Sequence, residues 1–200
     1  MGRRAEQVDA TRQRIVDAAV QLHSTVGPAR TSVSALAEAA GVTRLTVYRH
    51  FPDERELYAA CGQRWDELHA PGPDPATWRS IADLEERARH GLSELYAWYR
   101  EVGDALRPIL RDVDSGALPE DVREETEEES AQYADALVAS SGVRGAARRR
   151  LRAVAGHAVD FWTWQSLTIE QDLSEAEAVD LMTTLLLQAV RRRPGRDGAS

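Results

Sequence analysis

The stretch Thr31–Leu57, TSVSALAEAAGVTRLTVYRHFPDEREL, constrains this chain more than any other feature. Val33, Leu36, Ala37 and Ala40 recur at helical spacing and form one apolar stripe, with Ser34 and Glu38 on the wet side. Thr31 or Ser32 suits the cap of that helix. Gly41 stands where the chain must leave it, and glycine adopts the positive φ of a tight exit without steric cost. Val42 then fits the angle between two helices, and Thr43 can accept hydrogen bonds from the free amides of the next one. In that second helix, Arg44 to His50, Val47 and the following Phe51 turn back to the core at i and i+4. Arg44, Leu45, Thr46, Tyr48 and Arg49 are left outside. Two short helices joined by a glycine turn are a helix-turn-helix, which makes DNA the first partner to consider.

The exposed set has the chemistry for that partner. Arg44 can fork onto a guanine edge and Leu45 can meet a thymine methyl, whereas Thr46, Tyr48 and His50 have the reach to hold phosphates. Arg49 suits either task, or an ion pair with Asp53 or Glu54. A leading helix over Asp9 to Val26 buries Ile15, Ala18, Ala19 and Leu22 and stops at Gly27-Pro28. A fourth helix starts at Asp53, where Asp53 and Glu56 have capping-box spacing, and carries Leu57, Tyr58, Cys61, Trp65 and Leu68. The run Pro71-Gly72-Pro73-Asp74-Pro75 forbids its continuation.

With its leading helix, the run AEAAGVTRLTVYRHF resembles the TetR family of bacterial transcriptional regulators, whose pattern is T…A-x-x-AGV-x-x-x-T-x-Y-x-HF. The likeness covers residues 9 to 60. It adds Thr31, the leading threonine of the pattern, to Thr43, Arg44, Leu45, Thr46, Tyr48, Arg49 and His50 as candidate DNA-binding residues. It implies a three-helix DNA-binding domain at 1–52 and a helical regulatory domain at 53–200, for ligand binding and dimerisation, joined by the fourth helix. One position departs from the pattern: the family often carries a lysine near the start of the fourth helix, close to a phosphate, and here that residue is Glu54. As an acid in the first turn, Glu54 also has an ordinary structural explanation.

Net charge, −8, argues by itself against a nucleic-acid binder, but the charge is unevenly spread. Residues 1–65 hold nine arginines against seven acids, and residues 66–200 hold sixteen against twenty-six, so the amino-terminal module is the basic one. All 25 basic residues are arginine, which indicates a GC-rich coding sequence more than a mechanism. Arg3 and Arg4 form a leading arm that is either disordered or inserted in a minor groove. Arg12 and Arg14 on the first helix fit a solvated face as well as a phosphate contact, and Arg30 precedes the second helix. The single cysteine, Cys61, excludes an internal disulfide and reads as a small core residue. There is no run of eighteen apolar residues and no charged-then-apolar leader, so neither a membrane span nor a secretory signal is expected, and the cytoplasm is the expected location.

Beyond Pro75 the apolar period stays helical, and the expected fold class is all-α. Asp83 can cap a helix carrying Leu84, Ala88, Leu92, Leu95, Tyr99 and Val102; Gly103 to Pro108 interrupts it, and a short helix follows through Val113. Pro119 opens an acidic helix whose run Glu124, Glu125, Glu127, Glu128 and Glu129 reads as a solvated face. The last two helices, Arg144 to Ile169 and Ser174 to Arg193, have the broadest apolar faces. Periodicity does not separate dimer face from intramolecular core there. The resemblance implies that this pair meets its symmetry mate in a homodimer, which a two-fold operator requires.

Five tryptophans and five tyrosines cluster by element and can line an apolar cavity or simply pack a core. In the family the body binds a small molecule whose occupancy moves the fourth helix and respaces the recognition helices. On that resemblance Trp65, Tyr96, Tyr99, His157 and Trp162 are candidate ligand-binding residues, for an effector more hydrophobic or planar than polyanionic. No cofactor or metal is expected. An enzyme is not expected either, since the chain lacks a Gly-rich phosphate loop, G-x-S-x-G and H-E-x-x-H. The nearest catalytic pair, His157 and Asp160, reads as a buried histidine satisfied by the acid three residues on. The alternative to a DNA-binding repressor is a helical small-molecule or protein-binding module whose helix-turn-helix does not act on DNA.

Overall fold

The computed structural model describes residues 2–191, with side chains from residue 5 onward. Among the described residues ten α-helices run in chain order: α1 Gly2–His23, α2 Val33–Ala39, α3 Arg44–His50, α4 Glu54–Leu68, α5 Pro75–Arg79, α6 Leu84–Asp114, α7 Glu120–Val138, α8 Gly145–Val159, α9 Phe161–Gln165 and α10 Glu175–Val190. Among the described residues there is no strand, so the expected all-α class holds. None of the described helices is long and apolar enough to cross a membrane.

The chain divides into two compact units. One takes in the chain up to Pro71 together with Val102–Thr126; the other takes in Gly72–Glu101 and the chain from Glu127 on. In the first, α1 buries Ile15, Val16, Ala18, Ala19 and Val20 against Leu36 and Ala37 of α2, Val47 of α3, Phe51, and Ala60 and Cys61 of α4. Helix α4 therefore shares the core of the first three helices, with Leu57 and Trp65 packed on its margin. In the second unit, α8 and α10 pack along each other, and Leu92, Leu95, Tyr96, Leu151, Ala155, Ala178 and Leu186 are buried.

Several expectations are corrected. Helix α1 begins at Gly2, not Asp9, so the backbone of the expected leading arm is helical; the side chains of Arg3 and Arg4, and Arg193, lie outside the described residues. Gly103 and Pro108 do not interrupt α6, which runs unbroken for 31 residues. The buried stripe Ala88, Leu92, Leu95, Tyr99, Val102 and Val113 continues through them, and tertiary packing outweighs the hydrogen bond a mid-helix proline removes. The helix expected over Arg144 to Ile169 breaks at Asp160, whose ψ of 131° is extended. Asp160 then caps α9, accepting from Thr163 N at 3.0 Å, and a π-helical turn, Ser166–Glu170, follows. Asp160 is accordingly not the partner of His157, which is exposed and lies 3.4 Å from the Thr163 hydroxyl. Asp53 caps α4 by accepting from Arg55 N, without the reciprocal Glu56 bond of a capping box. Leu68, expected on the apolar face of α4, is exposed.

Candidate nucleic-acid interface

The helix-turn-helix is built as the residue types dictate. Ser32, rather than Thr31, caps α2, its hydroxyl accepting from Ala35 N at 3.1 Å. The helix then ends in a Schellman motif: Gly41 has φ 65°, Val42 N donates to the Ala37 carbonyl at 2.9 Å and Gly41 N to Glu38 at 3.1 Å. That fixed exit sets the start of α3. Thr43 caps α3, accepting from Thr46 N at 3.2 Å, and its hydroxyl pairs with the Thr46 hydroxyl at 2.9 Å. Val47 and Phe51 anchor the helix in the core, so its opposite face is pushed into solvent.

What that face presents is chemically specific. Leu45 is 69% and Tyr48 is 55% exposed, and at i and i+3 they share one solvent face of the helix. Arg44 and Arg49 are exposed beside them, and among the described residues neither is engaged by an acid. Of the roles open to Arg49, the ion pair with Asp53 or Glu54 is not formed among the described residues, and both arginines keep their donors. His50 is half-buried at the end of the helix. Thr31 lies outside α3: its hydroxyl donates to the Gly27 carbonyl at 2.8 Å, and it closes the 3-10 turn Pro28–Arg30.

The flanking charges sort themselves. Arg12 stacks its guanidinium 4.6 Å from the centroid of Phe51, a cation–π contact that braces the end of α3. Arg14 and Arg30 are exposed. Glu54 accepts from the Tyr58 hydroxyl at 3.3 Å, and burial, with that carboxylate nearby, holds the phenol above its ordinary pKa. Glu54 therefore has a structural partner one turn along its own helix. Burial pushes the Cys61 thiol up to about 12, so it stays a neutral core residue.

The five residues considered for a ligand fall in different places. Trp65 belongs to the first unit, where it is half-buried and stacked on His69 with ring centroids 3.8 Å apart. Tyr96 and Tyr99 are buried in the second unit and donate to the carbonyls of Ala158, at 2.9 Å, and Val159, at 2.7 Å. Those carbonyls are freed by the break at Asp160, so the two phenols complete the end of α8. Tyr99 also packs edge-on to Phe161 and against Trp164, with Trp162, half-buried, beyond Phe161. His157 is on the exposed side of α8. The structure thus joins Tyr96, Tyr99 and Trp162 around one helix break and leaves Trp65 in the other unit. Among the described residues no three His, Cys, Asp or Glu side chains converge as a metal would need.

Sequence reasoning missed the residues that hold the turn before α2. Ala29 N donates to Asp112 at 2.9 Å and Arg111 donates to the Val26 carbonyl at 2.8 Å. No local pattern reports a contact made 83 residues away. The only signal is Gly27, whose φ of 98° requires a glycine.

Comparison with known proteins converges on the same region. Residues 15–61 match the family described as bacterial regulatory proteins of the tetR family. The HTH-type transcriptional regulator AcrR of Shigella flexneri is 43% identical over 60 residues, 30% of this chain and 28% of that protein. The HTH-type transcriptional regulator TtgR of Pseudomonas putida is 39% identical over 67 residues, 34% of this chain and 32% of that protein. The chain thus spans under a third of the length of the curated relatives it matches.

Proposed function

The chain carries, over residues 15–61, a domain of the tetR family of bacterial regulatory proteins, and from that premise we propose that it is a sequence-specific DNA-binding transcriptional regulator. In this reading it represses by binding a palindromic operator as a homodimer through α8 and α10. The observation that carries it is the outer face of α3, where Leu45 and Tyr48 stand in solvent between the unengaged Arg44 and Arg49. Arg44 and Leu45 read base edges in the major groove; Thr43, Thr46, Tyr48 and His50 hold backbone phosphates. The relatives' names, both regulators of the helix-turn-helix type, support it.

A hydrophobic or planar effector completes the proposal. It acts by population shift: a differential affinity of about 1–3 kcal/mol between two spacings of the recognition helices changes operator binding roughly 5- to 150-fold. Compounds that release or tighten the protein–DNA complex are the test of this part, and a complex indifferent to every hydrophobic and planar compound in a broad screen would remove it.

Selection from a randomised duplex pool at two salt concentrations tests the central claim. A palindromic consensus is expected, with log affinity falling linearly as log salt rises. Arg44→Ala is expected to relax preference at one position of each half-site at a cost of about 1–3 kcal/mol, while Tyr48→Phe weakens all sequences alike. Folded protein that enriches no duplex at low salt would instead favour a helical module that does not act on DNA. Intact affinity and preference in Arg44→Ala would show that α3 is not the reading element.

A further inference from the structure

The turn between α1 and α2 is gripped from outside the helix-turn-helix. Gly27, at φ 98°, lies so close to the end of α6 that a Cβ would fall onto Asp112 Oδ2 and Arg111 Nη2, with the Pro108 carbonyl oxygen at 3.0 Å. Two prongs close on this approach. Asp112 Oδ2 accepts from Ala29 N at 2.9 Å, and Arg111 Nη2 donates to the Val26 carbonyl at 2.8 Å. The prongs brace each other, because Arg111 Nε donates to Asp112 Oδ1 at 2.9 Å. Asp112 is only 4% exposed, and a carboxylate so buried persists where charge and hydrogen bonds answer it.

The gripped segment feeds directly into the recognition helix. Thr31 ties back to the Gly27 carbonyl, Ser32 caps α2, and the Schellman exit at Gly41 with the Thr43 cap sets the start of α3. Each link is short and hydrogen-bonded, so the seat of the turn is passed on to α3.

We propose that Arg111 and Asp112 are positioning residues for DNA binding: without touching DNA, they clasp the turn before α2 and hold α2 and α3 in the placement that binds. The proposal rests on the reading of α3 as the recognition helix. It differs from the reading residues of α3 in what it predicts: affinity falls while sequence preference and salt dependence stay.

The test uses the full chain. Operator affinity is measured across a salt series for the unaltered protein, Arg111→Ala, Asp112→Ala and the double variant, and amide hydrogen exchange is followed in the free proteins. Expected are faster exchange at Ala29 and across residues 32–50, an affinity about tenfold lower, and a double variant little worse than the worse single one. The selected consensus and the salt slope stay unchanged. Arg111 has a partly exposed side chain, so Arg111→Ala carries the test should Asp112→Ala fail to fold. Unaltered exchange, or faster exchange with full affinity, overturns the proposal. So does a salt slope shallower by about one, which makes Arg111 a phosphate contact itself. Failure of the underlying reading looks different: the unaltered protein then binds no duplex, and the proposal falls with it even though the clasp variants still loosen the turn.

Discussion

His23 closes α1 with its ring buried, its centroid 5.7 Å from that of Tyr58. Burial lowers its pKa from 6.5 to about 4, and the nearby Asp112 only partly offsets this. The sign follows from proton counting: between pH 6.5 and about 4 the unfolded chain binds a proton at this site that the folded chain refuses. Stability from this group is therefore complete above pH 6.5 and is lost as pH falls, by roughly 3 kcal/mol over the interval. His23→Gln, which cannot titrate, should give a shallower pH dependence of urea unfolding between pH 4 and 6.5; parallel curves for the two proteins would show that His23 protonates freely in the fold. Arg87 makes a related point about legibility. It is fully buried and held by carbonyls rather than by an acid, Nε donating to the Leu137 carbonyl at 2.9 Å and Nη1 to the Ile81 and Ala82 carbonyls. The carbonyl end of α7 and the nearby Asp83 oppose the cost of burying its charge. Sequence gives no hint of this, because a backbone carbonyl 50 residues away has no side-chain signature.

At the scale of elements, the helix-turn-helix was largely readable, since its signals are local, although Thr31 and Ser32 were equal candidates for the cap that Ser32 forms. Gly41, the Thr43 cap and the Val47 and Phe51 anchors each act within one turn of their own helix. The body was less readable where tertiary contacts decide. Gly103 and Pro108 lie inside α6 because its stripe is buried on both sides of them, and Asp160 breaks a helix whose period continues past it. There the alternative use of a short carboxylate side chain, capping α9, wins over helix continuation, and Tyr96 and Tyr99 satisfy the carbonyls this frees. The break is thus held from both sides. Asp160→Ala should cost about 1 kcal/mol in unfolding free energy, as loss of an N-cap does. Tyr99→Phe should cost more than a simple hydroxyl deletion at the surface, because it strands the buried Val159 carbonyl. Unfolding midpoints of both variants at or above that of the unaltered protein would mean that the break is indifferent to these bonds.

For the whole molecule, composition and period pointed to the all-helical class but left the last helix ambiguous, because apolar residues circle most of α10. Packing resolves which side is used within the chain: Ala178, Val179, Met182, Thr183, Leu186 and Ala189 are buried, while Leu181 and Leu185, one turn apart, are 41% and 39% exposed. These two leucines share one outer stripe, which a two-fold contact would bury on both copies at once. We propose this stripe as part of the homodimer contact. If α10 meets its mate there, Leu181→Glu combined with Leu185→Glu removes about 1.5–3 kcal/mol of burial per side chain and adds like charges across the axis. The dimer dissociation constant should then rise by at least about a hundredfold, leaving a folded monomer in sedimentation at micromolar concentration. Helix α3 is untouched by these changes, so the monomer should still prefer the half-site while losing the gain of binding two at once. A double variant that sediments as the unaltered protein does, and binds the palindrome as tightly, would place the symmetry contact on some other face of the molecule.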